Sequence, residues 1–209
     1  MKNQTIDTFL TQLASSSPTP GGGGAASLCA SMGASLLSMV CNLTIGKPKY
    51  AENEEEVKTI RNLALDLKER FLQLSKDDEV AFEPLSKAYS LPTSTDEEKA
   101  YKEKVMEECL VGAASVPLEV VEQLAFASGL AKRLSPICSR LAVSDVGVAA
   151  SFFKAALNSA ALNVYINTKM MKNEDAARSL NERCEALVIK GTALCEETEN
   201  EIKALLKKY

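Results

Sequence analysis

Four side chains of this sequence carry polar chemistry on helical faces that should be aliphatic. Leu67, Phe71, Leu74, Phe82 and Leu85 fall within about 80° of arc at 100° per residue, and Asp78 points only about 20° away from Phe71. A carboxylate on an apolar seam is costly unless something satisfies it. Two readings follow: Asp78 is a structural group, ion-paired or capping a helix end, or it is a carboxyl on a pocket wall, where desolvation favours its neutral form and lets it exchange protons. Its neighbour Asp77 points away and reads as a solvated charge. A second stretch repeats the anomaly, because Phe152, Ser159, Asn163 and Met170 share a face, with Asp145 projecting onto the same line and Asn167 at its edge. Asn163 and Asn167 are two amides at i, i+4, which either bridge helices or face a ligand. The run Pro18-Thr-Pro-Gly-Gly-Gly-Gly24 is the third feature. It has neither the P-loop lysine nor the dinucleotide-binding glycine spacing. It is either a linker or a loop whose free amides, at the start of the next helix, hold an electron-rich ligand atom.

The composition narrows the chemistry further. The 209 residues contain no His, so no Ser-His-Asp or Cys-His machinery and no imidazole metal site are available. There is no Trp, aromatics are 5%, and the net charge is −4, which argues against nucleic acid or an anionic membrane as partner. Proton transfer therefore falls to Asp, Glu, Lys, Tyr or Cys. The six cysteines form no CxxC, so no metal site is expected; they read as reduced, mostly buried thiols of a cytoplasmic protein. The amino-terminal residues carry no apolar stretch of signal-peptide type.

Helices must position these groups, since nearly every segment repeats with helical period. Ile6, Phe9, Leu10 and Leu13 mark a short first helix, and a loop over 15–24 leads to a helix from Ala25 to about Thr44. Its small residues recur at four-residue spacing, so it reads as a buried helix rather than a membrane span. A loop bearing Lys47 and Lys49 precedes a helix from Asn53 to about Ser90, with a kink expected at Pro84. Thr95 and Glu98 form a capping box for a helix to about Phe126, kinked at Pro117 and followed by a separate short piece. Ser144 or Asp145 caps a helix to Met171, and Asn173 caps the last one. The expected fold is all-α: one multi-helix bundle over 1–209, with long, partly kinked helices.

Taken in order, Pro18-Thr-Pro-Gly-Gly-Gly-Gly-Ala-Ala, Ser38-Met-Val-Cys-Asn-Leu-Thr-Ile-Gly-Lys47, Asp78-Glu-Val-Ala-Phe82, Ala113-Ala-Ser-Val-Pro117, Ser144-Asp145 and Asn163-Val-Tyr-Ile-Asn167 resemble the formimidoyltetrahydrofolate cyclodeaminase / methenyltetrahydrofolate cyclohydrolase family over essentially the whole chain. The resemblance implies a helical bundle that forms a homodimer, with a folate site near the subunit interface. It implies Asp78 as the catalytic carboxylate. It also implies substrate contacts from Pro20, Gly21, Gly22, Gly23, Gly24, Lys47, Ser144, Asp145, Asn163 and Asn167. The family often has Ser where this chain has Gly24. No cofactor beyond the tetrahydrofolate substrate is implied.

The implied chemistry lies at the carbon bridging N5 and N10 of tetrahydrofolate. A cyclohydrolase adds water to the cationic methenyl carbon and opens the ring to 10-formyltetrahydrofolate. A cyclodeaminase closes the ring of the 5-formimidoyl compound and releases ammonia. A single carboxyl can take and return the proton in either. The stretches Glu83–Tyr89 and Ser144–Gly147 look more like stand-alone cyclohydrolases, which favours the hydrolase. A non-catalytic dimerisation scaffold would account for the small-residue helix but not for Asp78, Asn163 and Asn167.

Overall fold

The computed structural model describes residues 4–207. It contains six α-helices and, among the described residues, no strand: α1 Ile6–Leu13, α2 Gly22–Asn42, α3 Glu54–Tyr89, α4 Asp96–Leu134, α5 Val143–Thr168 and α6 Glu174–Leu206, with a short 3-10 turn over Pro48–Asn53. The expected all-α bundle is the observed one. α2 packs between α3 and α5, and α4 and α6 close the other side.

The caps explain several of the boundaries. Thr95 accepts from the Glu98 amide while the Glu98 carboxylate takes the Thr95 amide, so α4 opens on the anticipated capping box. Asn173 accepts from the Ala176 amide at 3.1 Å and opens α6. Both α3 and α4 run through their internal prolines, Pro84 and Pro117, without a break.

Several boundaries differ from the sequence reading; α5, for one, ends at Thr168 rather than Met171. α2 begins at Gly22 rather than Ala25, so three glycines form its first turn. α4 continues beyond Phe126 to Leu134 in one piece, because Ala127, Leu130, Ala131 and Leu134 extend its buried face. The Ser128 hydroxyl satisfies itself on the Leu124 carbonyl at 2.8 Å instead of breaking the helix. Neither Ser144 nor Asp145 caps α5. Ala142 holds the cap position and both residues lie in the first turn, where the Asp145 amide is satisfied by the Ala142 carbonyl.

α2 contains no charged residue and, like α4, is long and apolar enough to cross a membrane, yet it sits in the bundle with Ala26, Ala30, Ala34, Leu37 and Val40 buried. Gly33 lets α5 come close: a β-carbon there would stand 2.5 Å from the Phe153 ring. α2 and α5 therefore lie side by side in opposite directions, with the Cys29 thiol on the Phe152 carbonyl at 3.4 Å and the Ser139 amide on the Thr44 hydroxyl at 2.9 Å.

Candidate active site

Asp78 faces the first turn of α2. A β-carbon on Gly23 would stand 2.5 Å from each of its carboxylate oxygens, so backbone and carboxylate meet where only glycine leaves room. Gly21, at the cap position of α2, offers no side-chain oxygen to the helix amides. These N–H groups converge on the cleft as a positive helix end.

No Lys or Arg pairs with Asp78 among the described residues. The ion-pair reading fails, and the nearby guanidinium goes to the other acid: Arg70 holds Asp77 at 3.1 Å and Glu119 at 2.6 Å. Asp77, which reads as merely solvated from sequence, is thus an anchored, half-buried group on α3, linked through Arg70 to Glu119 of α4. Burial pushes the Asp78 carboxyl up from 3.8 to about 6, and the neighbouring Glu79 charge adds to it, while the Gly24 backbone N–H turned toward the carboxylate pulls the other way. A carboxyl at that value exists in both protonation states near neutrality, as an acid-base group requires.

α5 supplies the opposite wall. Asn163 donates to the Ser159 carbonyl at 2.8 Å, and its side-chain amide flanks Gly22, where a β-carbon would come within 3.3 Å of it. Asn167 donates to the Asn163 carbonyl at 2.8 Å and across to the Ala113 carbonyl of α4 at 3.1 Å. Asn167 therefore bridges helices as well as facing the cleft. The resulting space, about 190 Å³, is lined by Gly21, Gly22, Gly23, Asp78, Asn163 and Asn167, with Pro18, Thr19, Phe82, Ala113 and Ile166 as its more apolar parts. An adjoining groove of about 410 Å³ shares Gly22 and Asn163 and runs between α2 and α5 past Cys29, Ala155 and Leu162.

The remaining expected contacts lie elsewhere in the chain. Lys47 donates to the Ser139 hydroxyl at 3.0 Å, at the carboxyl-terminal end of α2, and Ser144 and Asp145 occupy the first turn of α5 beside that end. Asp145 and Asn163 are 18 residues apart on one helix, which is about 27 Å at 1.5 Å per residue. One chain thus forms two groups: the glycine turn with Asp78, Asn163 and Asn167, and, at the far end, Lys47 with Ser144 and Asp145. Pro20 and Gly24 stand just behind the cleft; both are buried, and a β-carbon on Gly24 would meet Pro20 at 3.3 Å. Thr19 and Ile166 line the cleft and were not singled out from sequence. Ile166 lies three residues from Asn163 and is exposed, so its helical position was the available signal.

Among the described residues no three His, Cys, Asp or Glu side chains converge as a metal site. The cysteines are free, and burial raises the Cys41 and Cys138 thiols to about 12 and about 11.

The sequence model of the formiminotransferase-cyclodeaminase family matches residues 5–186. The chain belongs to that family. It is 42% identical over 202 residues to the methenyltetrahydrofolate cyclohydrolase of Methylorubrum extorquens, covering 97% of both chains. It is 29% identical to the formimidoyltransferase-cyclodeaminase of Sus scrofa, covering 89% of this chain but 34% of that longer protein. Among solved structures, the formiminotetrahydrofolate cyclodeaminase of Thermotoga maritima superposes with a TM-score of 0.81 at 26% identity, covering 96% of this chain and 98% of that one. The family's fold is this bundle over nearly its full length.

Proposed function

We propose that this protein is a cytoplasmic 5,10-methenyltetrahydrofolate cyclohydrolase, with Asp78 as its acid-base group. The observation that carries the reading is the half-buried carboxyl held near pKa 6 between a glycine-built helix start and two asparagines. The near-full-length likeness to the Methylorubrum cyclohydrolase supports this reaction over its sibling. The free, mostly buried thiols suit a reducing compartment.

The steps use one carboxyl. Asp78 as carboxylate takes a proton from water as the oxygen attacks the cationic methenyl carbon, giving a neutral carbinolamine. The Asp78 carboxylic acid then protonates N5, and the restored carboxylate takes the hydroxyl proton as the C–N5 bond breaks toward N5. The product is 10-formyltetrahydrofolate, and one proton leaves to solvent. The carboxylate also steadies the cationic substrate before attack. Asn163 and Asn167 orient the bicyclic ring, and the amides of Gly22 and Gly23 meet its carbonyl or the developing oxygen. The cleft alone is smaller than the roughly 300–1,000 Å³ of ligand pockets, so the rest of the folate extends out of it, toward the edge of the subunit contact. No cofactor beyond the folate is called for.

The second reading, ring closure of 5-formimidoyltetrahydrofolate with release of ammonia, is favoured by the likeness to the Thermotoga and Sus scrofa proteins. Offering the purified protein each substrate and following the methenyl chromophore separates them. Loss of the chromophore from the methenyl compound at the faster rate supports the hydrolase. Faster appearance from the formimidoyl compound overturns it, and no turnover of either supports the scaffold.

The partner in this reading is a second copy of the chain. Ala25, Cys29, Met32, Leu36, Met39 and Leu43 form an outward stripe on α2 at alternating spacings of four and three, and Val148, Phe152, Ala155, Ser159, Leu162 and Ile166 form another on α5. No charge interrupts either stripe, and they lie on one face. A self-complementary apolar face of this kind suits a two-fold contact. An antiparallel pairing sets the Lys47 end of one subunit over the Asp78 end of its partner and joins the two groups of expected folate contacts.

A further inference from the structure

Ser75 is fully buried three residues before Asp78, on the same side of α3. Helical serines in this protein commonly spend their hydroxyl on the carbonyl four residues back: Ser35 on Ser31, Ser128 on Leu124, Ser151 on Gly147 and Ser159 on Ala155. Ser75 instead reaches out of its helix and donates to the Gly24 carbonyl across the α2–α3 contact, at 3.5 Å. A β-carbon on Gly24 would stand 3.2 Å from that hydroxyl and 3.3 Å from Pro20, so the Gly24 α-carbon is closely flanked by both. Gly24 directly follows Gly23, the residue packed against Asp78, and its N–H is the donor that lowers the Asp78 carboxyl.

We propose that Ser75 is a positioning residue for Asp78, acting through Gly24: it fixes the carbonyl of the residue whose amide faces the catalytic carboxylate. The inference rests on the reading of Asp78 as the acid-base group. Ser75 ties the first turn of α2 to α3 and so favours the amide's direction toward the carboxylate in its charged form. Without it, the first turn of α2 loses this tie to α3, and the Gly24 N–H is held less firmly toward the carboxylate. Asp78 then titrates higher.

The test is kinetic, with the methenyl compound as probe. Ser75→Ala should lower kcat about 3- to 10-fold, the weight of one hydrogen bond, leave KM within about twofold, and move the acid limb of the kcat–pH profile to higher pH. Ser31→Ala is the control, because the Ser31 hydroxyl also crosses from α2 to α3, onto the Lys68 carbonyl at 3.2 Å, but far from the cleft. It should lower the melting temperature comparably and leave the limb in place. If Ser75→Ala does not fold, Ser75→Cys keeps the volume with a weaker donor and should move the limb in the same direction. A Ser75 variant whose limb and kcat match wild type overturns the proposal, as does a Ser31→Ala limb that moves equally. Asp78→Asn separates this from the functional reading: if it retains turnover, the assignment of Asp78 itself fails, whereas an inactive Asp78→Asn beside an unaffected Ser75→Ala removes Ser75 alone.

Discussion

A β-carbon on Gly23 would lie 2.5 Å from both carboxylate oxygens of Asp78, so the start of α2 and the middle of α3 are fitted to each other at glycine distance. In an ordinary helix, Gly→Ala stabilises by about 1 kcal/mol. Here the methyl has no room beside a charged group held in the fold. Gly23→Ala should lower both the melting temperature and kcat, the latter more than about tenfold. Gly22→Ala, whose methyl would first meet the Asn163 amide at 3.3 Å, should be milder on both. A Gly23→Ala protein that melts higher and turns over normally would show that the two helices can part freely.

Asp78→Asn should reduce turnover about 10²- to 10⁴-fold, the usual weight of general acid-base catalysis, with folate affinity changed a few-fold at most. In the wild type the carboxylate is the form that accepts the water proton, and its pKa is about 6. The hydrolysis rate should therefore fall as pH drops through about 6. Rate profiles of the two proteins check both points, since the residual activity of the variant should lack that limb.

The same residue carries a stability consequence. Its carboxyl is raised from 3.8 to about 6, so the folded state holds the proton more tightly than the unfolded chain. Stability from this group is full below about 3.8 and is lost as pH rises through about 6, up to about 3 kcal/mol at 1.36 kcal/mol per unit. Asp78→Asn never ionises. It should melt above wild type at pH 8, with the gap closing by about pH 4. Thermal unfolding across that range measures it, and equal melting temperatures at pH 8 would mean that the charge is not held at a cost.

Met32 lies in the middle of the uncharged α2–α5 face and is 44% exposed. Met32→Glu should leave the isolated fold intact, because the side chain already meets water there, and in sedimentation it should run as a monomer, with wild type expected as the dimer proposed above. Activity should drop with the loss of the dimer. A Met32→Glu dimer would place the interface elsewhere.

Lys47 is far from Asp78 within one chain, so a role at the site operates across the proposed dimer. Exposed charge contacts weaken as the screening length falls from about 10 Å at 0.1 M salt to about 3 Å at 1 M. Lys47→Ala should raise KM for a polyglutamylated substrate and flatten its salt dependence, with kcat nearly unchanged. A salt slope equal to wild type removes Lys47 from the site.

Asp78 was legible in the sequence because a single acid breaks an otherwise apolar arc, and Asn163 and Asn167 because two amides recur one turn apart. Helical periodicity reports the direction of a side chain around its axis. It does not report which neighbour meets it at what height. Asp145 projects onto the Asn163 line and still ends about 27 Å away, and Lys47 follows α2 in sequence but leaves from its opposite end. The partner of Asp77 was hidden for the same reason, since Arg70 lies two turns back on α3 and Glu119 comes from α4. Gly22 to Gly24 look like loop in the sequence because glycine is a poor helix former; contacts with Asp78, Asn163 and Ser75 override that propensity.

The absence of charge from α2 also bears on how the chain is made. α2 is complete at Asn42, whereas α5, which covers one of its flanks, begins about a hundred residues later at Val143. At about 5–20 residues per second of synthesis, the ribosome leaves that flank bare for about 5–20 s. During this interval the nascent chain presents a 21-residue segment with the hydropathy of a membrane anchor. Chaperones and membrane-targeting factors would meet α2 before its own α5 does, so a delay in translation between the two helices should lower the yield of soluble protein.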